Sequence, residues 1–239
     1  MKHINEPLTL QTQFWNRWNS ANREHQLHDV SLRQAEVVIG WLDRLGRRDL
    51  AILEVGCGTG WFCDQLSGYG KVTATDLSDE VLARARQRTP AASFVAGDFM
   101  TLQFDEGACD VVVALEVLSH IADQAAFVRK VSSLLKPGGY LMLATQNRYV
   151  LERFNSVAPP EPGQLRQWVD KRELGRLLDS QLTTLEVFSV SPKANKGLLR
   201  AINSPRVNRP VRALFGNRIE LLKEHLGLGW TLMALARKP

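Results

Sequence analysis

Cysteine is scarce: 239 residues hold three, Cys57, Cys63 and Cys109. They form no CxxC pair and no ligand set with histidine, which argues against a disulfide scaffold or a structural zinc site and for a reducing compartment. No metal is therefore expected. No apolar run approaches the ~20 residues that a membrane-spanning helix needs. The opening MKHINEPLTLQTQ lacks the apolar core of a signal peptide. Internal repeats and low-complexity tracts are missing too. With 44% hydrophobic, 23% charged and 8% aromatic residues, the composition excludes collagen-like and disordered classes. A cytoplasmic globular protein without a membrane span is expected.

Acid is locally lacking as well. Across the chain 30 Lys and Arg stand against 25 Asp and Glu, but from Ser191 onward ten basic side chains meet only Glu220 and Glu224. A basic tail segment of this kind fits an anionic partner or acceptor; a solvated surface is the plainer reading.

Hydrophobic patterning changes twice along the chain. Up to about Asp29 the sequence is polar and aromatic, with Phe14, Trp15 and Trp18 at helical spacing. Ser31-Leu-Arg-Gln34 reads as a capping box before Leu32, Ala35, Val38, Leu42 and Leu45, and Gly46 stops that helix. Short apolar runs then alternate with helical stretches. Strands are predicted at Ala51–Val55, Lys71–Asp76, Ser93–Gly97, Asp110–Leu115 and Tyr140–Gln146, with helices near Trp61–Ser67, Asp79–Thr89 and Asp123–Lys136. Ser78 is placed to cap the second of these helices. Asp170-Lys-Arg-Glu173 offers another capping box, and Thr184–Val190 and Trp230–Arg237 read as sixth and seventh strands. A helix is expected at Asn217–Leu226.

Alternating strand and helix implies right-handed crossovers and a doubly wound α/β sheet. The expected organisation is an N-terminal helical cap over residues 1–48, then an α/β domain over 49–239 carrying an insertion at 191–229.

The segment Ile52-Leu-Glu-Val-Gly-Cys-Gly-Thr-Gly60 carries the chemistry. Three glycines between a buried strand and a helix allow tight, positive-φ backbone and close approach of a ligand, at the strand end where open α/β sheets bind. Position 61 is Trp, so the spacing is G-x-G-x-G and not the dinucleotide G-x-G-x-x-G. No Gly-Lys-Ser/Thr follows, which excludes a P-loop. The ligand is expected to be a nucleoside without polyphosphate. Asp76, at the end of the second strand, suits ribose hydroxyls. Asp98, after the third, suits an exocyclic amine. Glu54, an acid in an apolar run, suits an ammonium group. Ribose, adenine and a positive end together describe S-adenosylmethionine.

These motifs resemble the class I, Rossmann-like S-adenosylmethionine-dependent methyltransferases, in particular the small-molecule group that includes ubiquinone-pathway O-methyltransferases. The resemblance covers Ile52 to Gln146 and rests on Leu53–Gly60, Val72–Ser78, Gly97-Asp98 and Leu134-Leu-Lys-Pro-Gly-Gly139. It implies a mostly parallel seven-stranded sheet with an antiparallel last strand. It also implies that Gly56, Gly58 and Gly60 cradle the methionine part, with Cys57 a small residue in the turn. Asp76 would take the ribose and Leu77 pack on adenine. Asp98 and Phe99 would flank the base, and Leu115 would border the cofactor at the fourth strand.

The cofactor would bring the activated methyl group, leaving the protein to align an acceptor and take its proton. His120, after the fourth strand, is the candidate general base because its ordinary pKa lies near neutrality. His25 and His28 are lesser candidates. Trp15 and Trp18 can cover a planar acceptor, and Arg148 and Tyr149 can hold a polar group on it; Arg166 and Trp168 are similarly placed by chain order. The expected acceptor is a small molecule, methylated on oxygen or nitrogen. Modification of RNA through the basic insertion is disfavoured, since Phe215 is its single aromatic residue. A non-catalytic cofactor-binding protein is the third reading.

Overall fold

The computed structural model describes residues 8–22, 29–197, 200 and 218–239. Seven strands form one sheet in the order β3-β2-β1-β4-β5-β7-β6. They are β1 (Leu50–Val55), β2 (Gly70–Asp76), β3 (Ser93–Ala96), β4 (Cys109–Leu115), β5 (Leu135–Gln146), β6 (Thr183–Val190) and β7 (Thr231–Arg237). β1 to β5 pair in parallel, and β7 runs antiparallel to both β5 and β6. This is the doubly wound, mostly parallel sheet expected from the alternating pattern, with the antiparallel last strand in place.

Continuous apolar runs form the central strands because both faces are covered. Ile52, Val111, Val113, Met142 and Ala144 pack into one buried layer with Ala35, Val38, Trp41 and Leu42 of α2 (Asp29–Leu45). Leu53, Val112, Ala114, Leu141 and Leu143 pack into the other with Phe127, Val128 and Val131 of α5 (Gln124–Leu134) and Leu174 and Leu178 of α7 (Lys171–Leu178). Between them in sequence come α3 (Cys63–Ser67), α4 (Asp79–Arg88) and α6 (Arg148–Phe154). Ser78 caps α4 by accepting from Val81 N, and Asp170 and Glu173 form the capping box of α7.

Two expectations for α2 are corrected. Ser31 and Gln34 do not cap it: the helix begins at Asp29 and both side chains are buried inside it. Gln34 spends its amide on Glu116 and Thr231 across the fold. Leu32 is 44% exposed, so the buried stripe runs through Ser31, Gln34, Ala35 and Val38 and not through Leu32. Gly46, at φ +65°, does end the helix, as expected.

Before α2 lies α1 (Leu8–Asn22), and between β6 and β7 lies α8 (Arg218–His225). Glu224 of α8 pairs with Arg33 of α2 at 2.9 Å and accepts from Ser191 N at 3.0 Å, tying the end of the insertion to the sheet.

Gly60 sits at φ +71°, and a Cβ there would lie 2.9 Å from the Ala85 Cβ of α4. Gly60→Ala combines positive-φ strain with overpacking, and we expect it to lower the unfolding free energy by about 1–3 kcal/mol in urea titrations.

Candidate functional site

Each parallel strand ends at the same edge of the sheet, and the strand order reverses across β1, with β2 on one side and β4 on the other. Open α/β sheets leave a crevice at such a reversal. Here it is a cavity of about 520 Å³, a size suited to a cofactor or small molecule.

Its floor is the bend after β1. Gly56 lies at φ +72°, and a Cβ there would fall 2.3 Å from Val117 Cγ2. Gly58 lies at φ +54°, and its missing Cβ faces Asn19 Oδ1 of α1. Gly56 N and Cys57 N both donate to the Thr75 carbonyl, at 2.8 and 2.9 Å. The Asp76 carboxylate accepts from Gly58 N at 2.9 Å and from Ser78 N at 3.1 Å. The loop is thus latched to the end of β2. Burial raises the Asp76 pKa, and the backbone donors oppose it.

Glu54, Gly56, Cys57, Gly58, Asp76, Leu77, Asp98, Phe99 and Leu115 all line the cavity. Gly60 is not part of that lining; a Cβ there would meet Ala85 of α4. Glu54 is 3% exposed and accepts the Cys63 thiol proton at 3.0 Å. Burial pushes its pKa up to about 7; the Cys63 hydrogen bond opposes this and the Asp76 charge adds to it. Asp98 turns its chain by accepting from Met100 N at 3.0 Å, and Phe99 packs edge-on to Phe127.

Sequence reasoning missed several residues of the wall. Glu116, just past β4, takes φ +63°, and its carboxylate accepts from Gln34 and Thr231. Its position repeats the logic of Asp76 and Asp98, an acid following a parallel strand, and that signal was available. Asn19, Gln34, Gln146, Gln164 and Trp230 also face the cavity. They come from elements far apart in sequence, and no local pattern marks them.

Another part of the cavity wall is built from α1, the turn at Leu118–His120 and the loop between α6 and α7. His120 Nδ1 lies 2.7 Å from the Leu165 carbonyl, and its ring meets Trp15 edge-on with centroids 4.5 Å apart. As that carbonyl only accepts, Nδ1 carries the proton and Nε2 is left as an acceptor. Burial lowers the His120 pKa to about 4; the Leu165 hydrogen bond opposes the shift and the Arg166 charge adds to it. Trp15 and Trp18 line the cavity, as do Arg166 and Trp168. The α1 helix that carries the first pair is seated tightly, since a Cβ on Gly163 would fall 2.3 Å from the Leu10 carbonyl oxygen.

Arg148 and Tyr149 are not brought into the cavity. Arg148 is consumed by Asp170 and Glu173, at 2.7 and 2.8 Å, while Tyr149 lies against Phe154 and Arg153. His25, His28 and Phe215 lie outside the described residues.

The wall suits a cationic nucleoside. Among the described residues no lysine or arginine pairs with Glu54, Asp76 or Asp98 within 4 Å, and none stands at the glycine bend to receive a pyrophosphate. The buried Thr75 hydroxyl on the same wall has no hydrogen-bond partner among the described residues.

Comparison with known proteins gives this geometry a family. Residues 53–143 match the family described as "Methyltransferase domain". This part of the chain is similar to that family. The ubiquinone biosynthesis O-methyltransferase of Xanthomonas axonopodis pv. citri (strain 306) is 36% identical over 138 residues, 55% of this chain and 56% of that protein. The chain thus matches little more than half the length of that curated relative. N-methyltransferase NodS from Bradyrhizobium japonicum WM9, solved with S-adenosyl-L-homocysteine, superposes with a TM-score of 0.65 at 19% identity, covering 96% of this chain and 99% of its own. The [4+2]-cyclase SpnF superposes at 0.59 with 21% identity, covering 87% and 81%. Likeness at these identities establishes the Rossmann-like methyltransferase fold, and the cyclase shows that the fold alone does not fix the chemistry.

Glu54 carries a pH prediction. Its folded pKa of about 7 exceeds the ordinary 4.5, so the folded chain holds the extra proton between those values. This contribution is complete below pH 4.5 and lost as pH rises through 7, up to about 3 kcal/mol. Unfolding free energies measured from pH 4.5 to 8 should show a smaller loss in Glu54→Gln than in the natural protein.

Proposed function

We propose that the chain is an S-adenosylmethionine-dependent methyltransferase acting in line on an oxygen or nitrogen of a small-molecule acceptor. The observation that carries this reading is the set of carboxylates, Glu54, Asp76 and Asp98, around a glycine bend at which, among the described residues, no basic side chain stands. A sulfonium, an ammonium, a ribose and an adenine amine are all donors or cations, and such a wall favours each of them. Bound there, S-adenosylmethionine supplies a methyl group on a positive sulfur that passes to the acceptor and leaves S-adenosylhomocysteine.

The residues of this chain bind, orient and deprotonate. Asp76 takes the ribose hydroxyls while holding the bend through Gly58 N. Leu77 and Phe99 sandwich the base, and Asp98 accepts from its amine. Glu54 faces the methionine ammonium across the bend. His120, neutral at pH 7 and presenting Nε2, takes the acceptor's proton. The tryptophans beside it exclude water from the reacting atoms, where positioning can lower a barrier by about 7–11 kcal/mol.

Supporting the small-molecule reading, curated relatives are named as ubiquinone biosynthesis O-methyltransferases, and Trp15, Trp18 and Trp168 line the cavity beside His120. Among the described residues no helix is long and apolar enough to cross a membrane. We place the protein in the cytoplasm, where the buried Cys57 and Cys63 thiols stay reduced.

A screen of extract metabolites with methyl-labelled cofactor tests the proposal: label should enter a small acceptor, and label found only in RNA or protein overturns the acceptor class. Asp76→Ala should weaken S-adenosylhomocysteine binding by roughly 10- to 150-fold, about 1.5–3 kcal/mol for a charge-assisted bond, with an unchanged circular dichroism spectrum. Since His120 must be unprotonated to act as base, kcat/KM should rise as pH rises through about 4. That acidic limb should vanish in His120→Ala; its survival there removes His120 from the mechanism.

A further inference from the structure

The cavity is electrically lopsided. Acids occupy the end formed by the glycine bend, whereas Arg166 and Lys193 lie on its wall where the loop after α6 and the segment after β6 meet. Arg33, Arg44, Arg47, Arg48, Arg86 and Arg148 each pair with at least one carboxylate. Arg166, on the cavity wall, is held otherwise. It is partly buried, and among the described residues no carboxylate lies within ion-pair distance of it or of Lys193.

Its position is nevertheless fixed. Nη1 donates to the Ala158 carbonyl at 2.6 Å, Nη2 donates to Gln164 Oε1 at 2.8 Å, and the guanidinium carbon lies 5.2 Å from the Trp168 ring centroid. All three partners are uncharged, so the fork is oriented and its charge is left whole. A partly buried, uncompensated cation is costly to hold. An oriented guanidinium on a cavity wall is also the geometry that receives a planar anion.

The walls around it are flat and aromatic: five of the six tryptophans, all but Trp41, line this cavity. Such walls favour a planar ring over a flexible chain. His120 stands between the two regions, with its Nδ1 on the carbonyl of Leu165, the residue before Arg166.

Resting on the methyltransferase reading above, we propose that the methyl acceptor is an aromatic carboxylate, its carboxyl group received by Arg166 with Lys193 alongside, and its ring held among the tryptophans. A carboxylate at Arg166 also neutralises the cation that lowers the His120 pKa, so acceptor binding makes that imidazole a stronger base. Arg148, the arginine singled out by its place after β5, cannot serve, because Asp170 and Glu173 already occupy it.

The test is calorimetry of the whole chain with matched probes, run with and without saturating S-adenosylhomocysteine: 3,4-dihydroxybenzoate against 3,4-dihydroxybenzamide, indole-3-carboxylate against indole-3-carboxamide, and phenyl phosphate. At least one carboxylate should bind tenfold or more tightly than its amide. That preference should fall to within twofold in Arg166→Gln and be partly kept in Arg166→Lys, which guards against misfolding. Equal binding of acid and amide, no binding of either carboxylate, or a preference that survives Arg166→Gln overturns the proposal. Tighter binding of phenyl phosphate than of both carboxylates also overturns it, in favour of a phosphate ester. Carboxylate selectivity without any S-adenosylhomocysteine binding would leave the anion site standing and remove the methyltransferase reading beneath it.

Discussion

In β4, Val111 and Val113 pack into one buried layer and Val112 and Ala114 into the other, and β1 and β5 divide their side chains in the same way. A sheet covered on both faces has no flat surface left for polar chemistry. Its functional groups must stand at strand ends, where backbone leaves the ladder and side chains meet solvent. The carboxyl ends of β1 to β4 accordingly carry Gly56, Asp76, Asp98 and Glu116. The helices α2, α5 and α7 serve the same end indirectly, by keeping the sheet dry and its edge in register.

At that edge electrostatics and geometry reinforce each other. Asp76 latches the glycine bend through Gly58 N while remaining on the cavity wall, so one carboxylate both shapes the site and charges it. Glu54 and Asp98 add to the same field, and burial makes Glu54 reluctant to ionise until a positive group arrives. Arg166 and Lys193 on the wall give the same cavity basic groups as well. A ligand pair of positive nucleoside and negative aromatic acid satisfies both ends at once, which is why the two parts of the functional account support each other while remaining separately testable.

The fold was legible because its signals are local. Apolar runs of strand length, Ser78 and Asp170 at helix starts, and Gly46 at a helix end each act within a few residues, and each lies where expected. The cofactor end of the site was legible for the same reason, since a strand followed by an acid or a glycine is a short pattern. Tertiary demands misled elsewhere. Ser31 and Gln34 imitate a capping box, yet the partners of Gln34 lie at Glu116 and Thr231. Chain order put Arg148 and Arg166 on an equal footing, and only their neighbours separate them: two carboxylates for one, a carbonyl, an amide and an indole for the other. The spacing of Gly60 could not show that it also packs against Ala85, twenty-five residues on.

The central claim is that the bend at Gly56–Gly58 and its carboxylates receive a nucleoside that carries an ammonium group and no pyrophosphate, and not a dinucleotide. Titration calorimetry of the purified chain with S-adenosylhomocysteine and, separately, with NAD tests it most directly. The account predicts saturable one-to-one heat with S-adenosylhomocysteine and none with NAD; silence with the first and clear heat with the second would contradict it.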